Sequence, residues 1–201
     1  MSLASLILAV VTLQRLGELV LSRHNASRLL ARGAIEIGAG HYPLVVSVHA
    51  AWLTALWVLG RDQDVNLAAL AVYLALQVLR IWILTTLGPR WTTRIIVLPG
   101  EPLVASGPYR YLSHPNYAVV VGEIAVLPLA LHLPWLSLIF TILNLAALAV
   151  RIPVEMRALR RRPTKAFSSE VDTGSREENA SKQKSGAPFR FYRNRNSSSI
   201  P

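Results

Sequence analysis

Apolar and polar residues fall along this chain in long blocks rather than in short amphipathic periods. Five blocks are apolar: 3–21, 43–60, 65–87, 117–131 and 134–150. The first three are each near the ~20 residues that carry a helix across about 30 Å of hydrocarbon. Block 3–21 is too long, and holds too many polar groups, for a cleavable signal peptide. Only a short linker containing Arg61-Asp62-Gln63-Asp64 separates the second block from the third, which predicts a tight helical hairpin. The last two are broken at His132-Leu133-Pro134, where proline cannot continue a helix, and each is short for a full crossing. The pattern predicts an all-α membrane protein of about five transmembrane helices, the last two forming a short hairpin.

From about Arg160 the character changes. Residues 168–186 present no apolar face and are rich in Ser, Glu, Lys and Asn, a composition that does not offset its ordering entropy. The expected organisation is a multi-span domain over 1–160 and a polar, basic, disordered tail over 161–201.

Arginines sort by loop. Arg23, Arg28 and Arg32 follow the first span, Arg90, Arg94 and Arg110 the third, and the large basic excess the fifth, whereas the opposite loops hold only Arg61. The positive-inside rule then places the N-terminus outside and the loops after spans one and three, with the tail, in the cytoplasm.

Composition adds exclusions. At 52% apolar residues and a mean hydropathy of +0.38, the 201-residue chain reads as lipid-solvated. The net charge of +10 suggests nucleic acid until it is divided. Residues 1–150 carry 9 Lys/Arg against 6 Asp/Glu, and 151–201 carry 12 against 5, so the tail holds most of the excess, and a membrane-surface role or mere solubility is expected rather than a nucleic-acid partner. With no cysteine there is no disulfide, thiolate nucleophile or prenylation box. His24, His41, His49 and His132 are scattered with no carboxylate at ligand spacing, so no metal site is expected. Gly38-Ala39-Gly40 is not expected to open a strand-to-helix turn, and no Walker or Rossmann glycine pattern occurs.

Four charges fall inside spans: Arg15 and Glu18 in the first, Arg80 in the third and Glu123 in the fourth. Intramembrane charge is expensive and often functional. Mutual pairing inside the bundle accounts for these four somewhat better than a substrate channel does.

The polar stretch 94–117 concentrates the candidate chemistry. Several X-Pro steps and glycines impose an irregular backbone, which at membrane depth is tolerated where it is buried or lines a cavity. Its arginines, tyrosines and single histidine, with Trp91 just before, can hold a polar, partly aromatic ligand. Composition alone favours a plainer account, an interfacial loop whose Trp, Tyr and Arg anchor at headgroup level. Arg151 and Glu155 stand four apart near the end of the last span; by themselves they read as a snorkelling arginine in a helix-surface ion pair.

The run Leu103-Val104-Ala105-Ser106-Gly107-Pro108-Tyr109-Arg110-Tyr111-Leu112-Ser113-His114-Pro115-Asn116-Tyr117, then an apolar hairpin and Arg151…Glu155, resembles the isoprenylcysteine carboxyl methyltransferase family. Its bacterial branch is most similar, including Arg90-Trp91-Thr92-Thr93-Arg94 and the Pro99-Gly100 step, and the likeness covers roughly residues 1–160. The resemblance implies S-adenosylmethionine-dependent methylation in a bacterial cell membrane. It implies cofactor contacts at Arg94, Glu101, Pro102, Leu103, Val104, Tyr109, His114, Pro115, Asn116, Tyr117 and Glu155, with Arg151 positioning the substrate oxygen. The acceptor would be an isoprenylcysteine-like carboxylate or, since bacteria rarely prenylate proteins, a small alkyl-pyrone or phenolic lipid, the latter preferred. Such an anion needs placement and a dry cavity rather than a strong base, and Arg151 would ideally fix its oxygen with two parallel hydrogen bonds.

The chain departs from the family pattern at several points. Ser113 stands where arginine often precedes His-Pro, Ala118 replaces a common glycine, and Met156 replaces a second glutamate. Pro153 is expected to kink the last helix. The aromatic segment that usually closes the site is reduced to Phe189-Arg190-Phe191-Tyr192 in the polar tail. Two other functions compete: an NADPH-dependent sterol- or steroid-reductase-like membrane enzyme, whose family carries a similar Gly-Pro-Tyr-Arg-Tyr…His-Pro-Asn-Tyr run, and a non-catalytic membrane paralogue.

Overall fold

The computed structural model describes residues 2–160. The tail and its expected disorder, including Phe189–Tyr192 by number, lie outside the described residues. Within them the elements run α1 (Leu3–Ala31), β1 (Ile35–Ile37), α2 (Tyr42–Gly60), α3 (Leu67–Leu87), β2 (Ile95–Val97), α4 (Pro115–Ala130) and α5 (Pro134–Arg160). Short 3-10 turns lie at Ala39–His41, Gly88–Arg90 and Gly107–Arg110.

Among the described residues four helices are long and apolar enough to cross a membrane: α1, α2 with its 3-10 lead-in, α3 with the turn after it, and α5. The fifth, α4, has 16 residues, and at 1.5 Å per residue spans about 24 Å, short of the ~30 Å hydrocarbon layer. Large side chains such as Leu13, Val20, Val58, Val78 and Trp135 are exposed, as on a lipid-facing surface. The core between helices holds Leu8, Trp52, Leu56, Ile124, Leu127 and Leu131. At Gly122 an added Cβ would come within 2.9 Å of Leu76, so the glycine admits α3 at close range to α4.

Two expectations are corrected. Only α4 is short; α5 runs 27 residues, straight through the expected end at 150 and past Pro153. The fold is also not purely helical, because β1 and β2 pair antiparallel in the register Ile35↔Val97, Glu36↔Ile96 and Ile37↔Ile95. Ile95 and Val97 bury one face of this ribbon against Ala158, with Ile37, Val154 and Leu159 packed around them. That contact gives the last turns of α5 a reason to continue beyond the apolar block. A further correction follows at Gly38, whose φ of +69° lies between β1 and the turn into α2, a strand-to-helix connection after all, though in a two-stranded ribbon rather than a parallel sheet.

α1 likewise outruns its apolar block by about three turns. Past Leu21 its buried residues are Ser22, Asn25, Ala26 and Leu29, spaced i, i+3, i+4 and i+7 along one face. Asn25 Nδ2 donates to Trp91 O at 2.9 Å and to Gly88 O at 3.3 Å, docking the helix onto the segment after α3.

The four intramembrane charges meet. Arg80 donates to Glu18 from Nε at 2.5 Å and from Nη2 at 2.7 Å, and its Nη1 reaches Glu123 at 2.6 Å. Arg15 lies 3.0 Å from Glu18 and 2.8 Å from Glu123. Gln14 and Gln77 complete the set, donating at 3.0 Å to Glu18 and 2.8 Å to Glu123. Two cations and two anions from α1, α3 and α4 thus neutralise one another in the apolar layer, as buried charge requires.

Candidate functional site

Thr93 is the joint on which the loop-bearing end of the helices is built. Its N–H donates to Ser22 Oγ at 2.8 Å, and its hydroxyl lies 2.7 Å from Ser22 Oγ and 3.0 Å from the Tyr42 hydroxyl. Its carbonyl accepts from Arg151 Nη2 at 2.6 Å. One residue therefore ties α1, α2 and α5 together. Thr93 lies inside the family-like run, yet a threonine among arginines and tryptophan carries no sign in sequence of three tertiary partners.

Around this joint opens a cavity of about 840 Å³, within the range of small-molecule sites. Of the residues singled out by sequence, Arg94, Glu101, Pro102, Leu103, Val104, Tyr109, His114, Asn116, Tyr117, Arg151 and Glu155 line it. Pro115 does not; it is buried as the first residue of α4, where a missing N–H costs nothing. The backbone is held for this arrangement by Gly107, whose φ is +57° and whose added Cβ would sit 2.5 Å from Thr86 Oγ1. Only glycine fits that crossing of loop and helix.

Two of the polar groups are spent on loop architecture. Glu101 pairs with Arg32 and with Arg90, and Arg90 also donates to Pro102 O at 2.8 Å, which closes the segment over the end of α1. Arg94 pairs with Glu36 of β1 at 3.0 Å and lies over the Tyr42 ring at 5.0 Å. The Glu36 hydrogen bond holds its guanidinium further into the charged range.

Arg151 and Glu155 do not form the helix-surface ion pair that their spacing suggests. Tyr117 stands between them: its hydroxyl donates to Glu155 Oε2 and accepts from Arg151 Nε at 2.9 Å. The guanidinium also lies 5.8 Å from the centre of the Tyr117 ring, and the His114 and Tyr117 ring centres are 5.5 Å apart. With Nε and Nη2 engaged, Arg151 keeps Nη1 without a protein partner among the described residues. Glu155 is the one cavity-lining carboxylate with no ion-pair partner there, since Glu18 and Glu101 are both paired. Nearby, burial and then the Glu155 carboxylate push the Tyr109 phenol up to about 12, so it stays neutral through the physiological range.

The arrangement thus offers an uncompensated carboxylate, two aromatic faces and a held arginine around one space. That set suits a cation next to an anionic oxygen. Among the described residues no group of three or more His, Asp or Glu gathers as for a metal ion.

Comparison with known proteins gives the lineage. A protein of Bacillus subtilis (strain 168), YpbQ, described as uncharacterized, is 38% identical over 160 residues, covering 77% of this chain and 95% of that protein. A Haemophilus influenzae protein, also described as uncharacterized, is 26% identical over 151 residues, covering 72% of this chain and 88% of its own length. No solved structure matches. The profile of the isoprenylcysteine carboxyl methyltransferase (ICMT) family matches residues 69–161, the span from α3 to the end of α5 that holds the loop, Tyr117, Arg151 and Glu155. By that profile and the full-length relative together, the chain belongs to the isoprenylcysteine carboxyl methyltransferase family.

Proposed function

We propose that the protein is an S-adenosylmethionine-dependent O-methyltransferase of a bacterial cell membrane, acting on the carboxylate or acidic hydroxyl of a lipophilic acceptor. The observation that carries this reading is the Arg151–Tyr117–Glu155 bridge, which leaves Glu155 without an ion-pair partner and Arg151 Nη1 without a hydrogen-bond partner among the described residues, both residues lining one cavity. S-adenosylmethionine would supply an electrophilic methyl carbon on a sulfonium, so that a C–O bond to the acceptor forms as the C–S bond breaks and the acceptor anion is consumed without a proton moving. The residues present fit such a group. Glu155 would pair with a cationic centre, and the Tyr109 and Tyr117 rings would face the sulfonium or adenine. His114, Asn116 and the N-terminus of α4 would meet the carboxylate, while Pro102, Leu103 and Val104 flank the site from the loop. Arg94 and Glu101 would act by shaping that loop.

Arg151 would orient the acceptor oxygen through Nη1, with its other nitrogens held by Tyr117 and Thr93, a preorganised arrangement that lowers the entropic part of the barrier. The acceptor class is an isoprenylcysteine-like carboxylate or a small alkyl-pyrone or phenolic lipid, the latter preferred. In this reading all five helices cross, with the N-terminus outside.

Calorimetry on purified protein tests the cofactor. Wild type should bind S-adenosylmethionine and Glu155→Ala should lose it; absence of binding to wild type would sink the reading. Tighter binding of NADPH in competition would favour the reductase-like alternative. Membranes incubated with radiolabelled S-adenosylmethionine should then show label in extracted lipid. Because the chain has no cysteine, topology is read without background: Asp62→Cys should react with an impermeant maleimide on intact cells and Ser113→Cys should not, the reverse pattern contradicting the orientation.

A further inference from the structure

The cavity does not stop at the cytoplasmic polar layer. Its lining continues down to Arg15, Glu18, His49, Arg80 and Asn144. Helical arithmetic places Arg15, His49 and Asn144 on one level, with Glu18 about one turn nearer Ser22. Arg15 precedes Ser22 by seven residues, His49 follows Tyr42 by seven, and Asn144 precedes Arg151 by seven, while Ser22, Tyr42 and Arg151 all bond to Thr93. Seven residues are two helical turns, about 10 Å of rise with the side chain returned to nearly the same face. Two polar layers are thus separated by a shaft about 10 Å deep, walled by Leu16, Leu19, Val46, Val120 and Leu148.

The lower layer is neutral in sum, its two arginines matched by Glu18 and Glu123, so it offers no site for an ion. It does leave hydrogen-bond capacity unused. Asn144 is 1% exposed, yet its Nδ2 has no partner, and neither has the buried Nε of Arg15. Both orphans are donors, and a buried donor without an acceptor costs about 1–3 kcal/mol, so something with a lone pair belongs there.

We propose that Asn144, assisted by Arg15 Nε, is a specificity-determining subsite that reads an uncharged acceptor oxygen, a carbonyl or ether, on the substrate about 10 Å from the oxygen that is methylated. The proposal rests on the methyltransferase reading only for which end of the substrate lies at Arg151. The substrate class becomes narrower: a medium-length chain, anionic at one end and oxygenated near the other, rather than a plain long hydrocarbon tail.

Two probes of matched length separate these classes. Monomethyl sebacate carries a carboxylate at one end and an ester carbonyl at the other, whereas dodecanoate has the same chain length and no far oxygen. Binding of each to the full chain in phosphatidylcholine nanodiscs is measured by calorimetry. Wild type should prefer monomethyl sebacate by about tenfold, the value of one or two well-placed hydrogen bonds. Asn144→Leu should abolish that preference while binding dodecanoate as wild type does. Asn144→Asp, isosteric and without a donor when ionised, reads the same if the leucine variant fails to fold. Arg151→Ala should weaken both probes and leave their ratio intact. Equal or absent binding of the two probes by wild type, or an unchanged ratio in the Asn144 variants, would mean that an ordered water only meets these donors, and overturns the proposal. S-adenosylmethionine binding in the same preparation judges the methyltransferase reading separately: its failure alongside a tenfold probe ratio would leave the subsite standing and remove the reaction.

Discussion

Tyr117 takes a place that helix spacing would give to a direct ion pair. A hydroxyl that donates to one charged group and accepts from another holds both at a separation neither would choose alone, and it leaves the Glu155 carboxylate short of a cation. Hydrogen bonds to charged groups are worth about 1.5–3 kcal/mol, so Tyr117→Phe, which keeps the ring, should lower kcat/KM for methyl transfer roughly 10- to 100-fold. Glu155→Gln should weaken S-adenosylmethionine binding by at least about tenfold in calorimetry, because the amide keeps the shape and loses the charge. Tyr109 gives a pH signature. Its folded value lies above the ordinary 10, so its contribution to stability is fully present below pH 10 and is lost as pH rises towards 12. The difference between wild type and Tyr109→Phe in tyrosinate absorbance should appear only near the top of that range.

The elements show where hydropathy ends and helix does not. Block 3–21 ends at Leu21 because Ser22, Arg23 and His24 are polar, but polar residues at the end of a span are still good helix residues once one face has something to bury against. For α1 that surface is the segment around Gly88 and Trp91, and for α5 it is the β1–β2 ribbon. The ribbon was illegible in sequence, since three-residue strands from segments about 60 residues apart carry no periodicity. Pro153 sits within α5 without ending it. The loop is most exposed to a change at Gly107: Gly107→Ala combines a left-handed backbone with a clash against Thr86 and should cost about 1–3 kcal/mol, read as a lowered thermal midpoint in detergent.

At the scale of the whole molecule, the ionic cluster binds α1, α3 and α4 midway along the helices, and Thr93 binds α1, α2 and α5 at the end that carries the loop after α3. The two ties hold different sets of helices, and the cavity lies between them. Removing one member of a buried set strands its partners, so Glu123→Ala, leaving Arg15 and Arg80 with one carboxylate between them, should destabilise the bundle by about 3–5 kcal/mol. Unfolding in sodium dodecyl sulfate would measure it. A loss below about 1 kcal/mol would indicate that water already reaches the cluster through the cavity.

The solvent, the approximate spans, the break at His132-Leu133-Pro134 and the family-like loop are legible along the chain, because each depends on local composition or on contiguous spacing. The pairing of the four intramembrane charges is legible there too, since hydrocarbon leaves such groups few alternatives. Helix crossing, by contrast, decides that Arg151 and Glu155 are joined through Tyr117 rather than to each other, that Thr93 is a joint, and that Asn144 shares a level with Arg15 and His49. These are relations between residues as much as 129 positions apart, from Arg15 to Asn144. They are set by how the helices cross, and no local pattern of polarity encodes that.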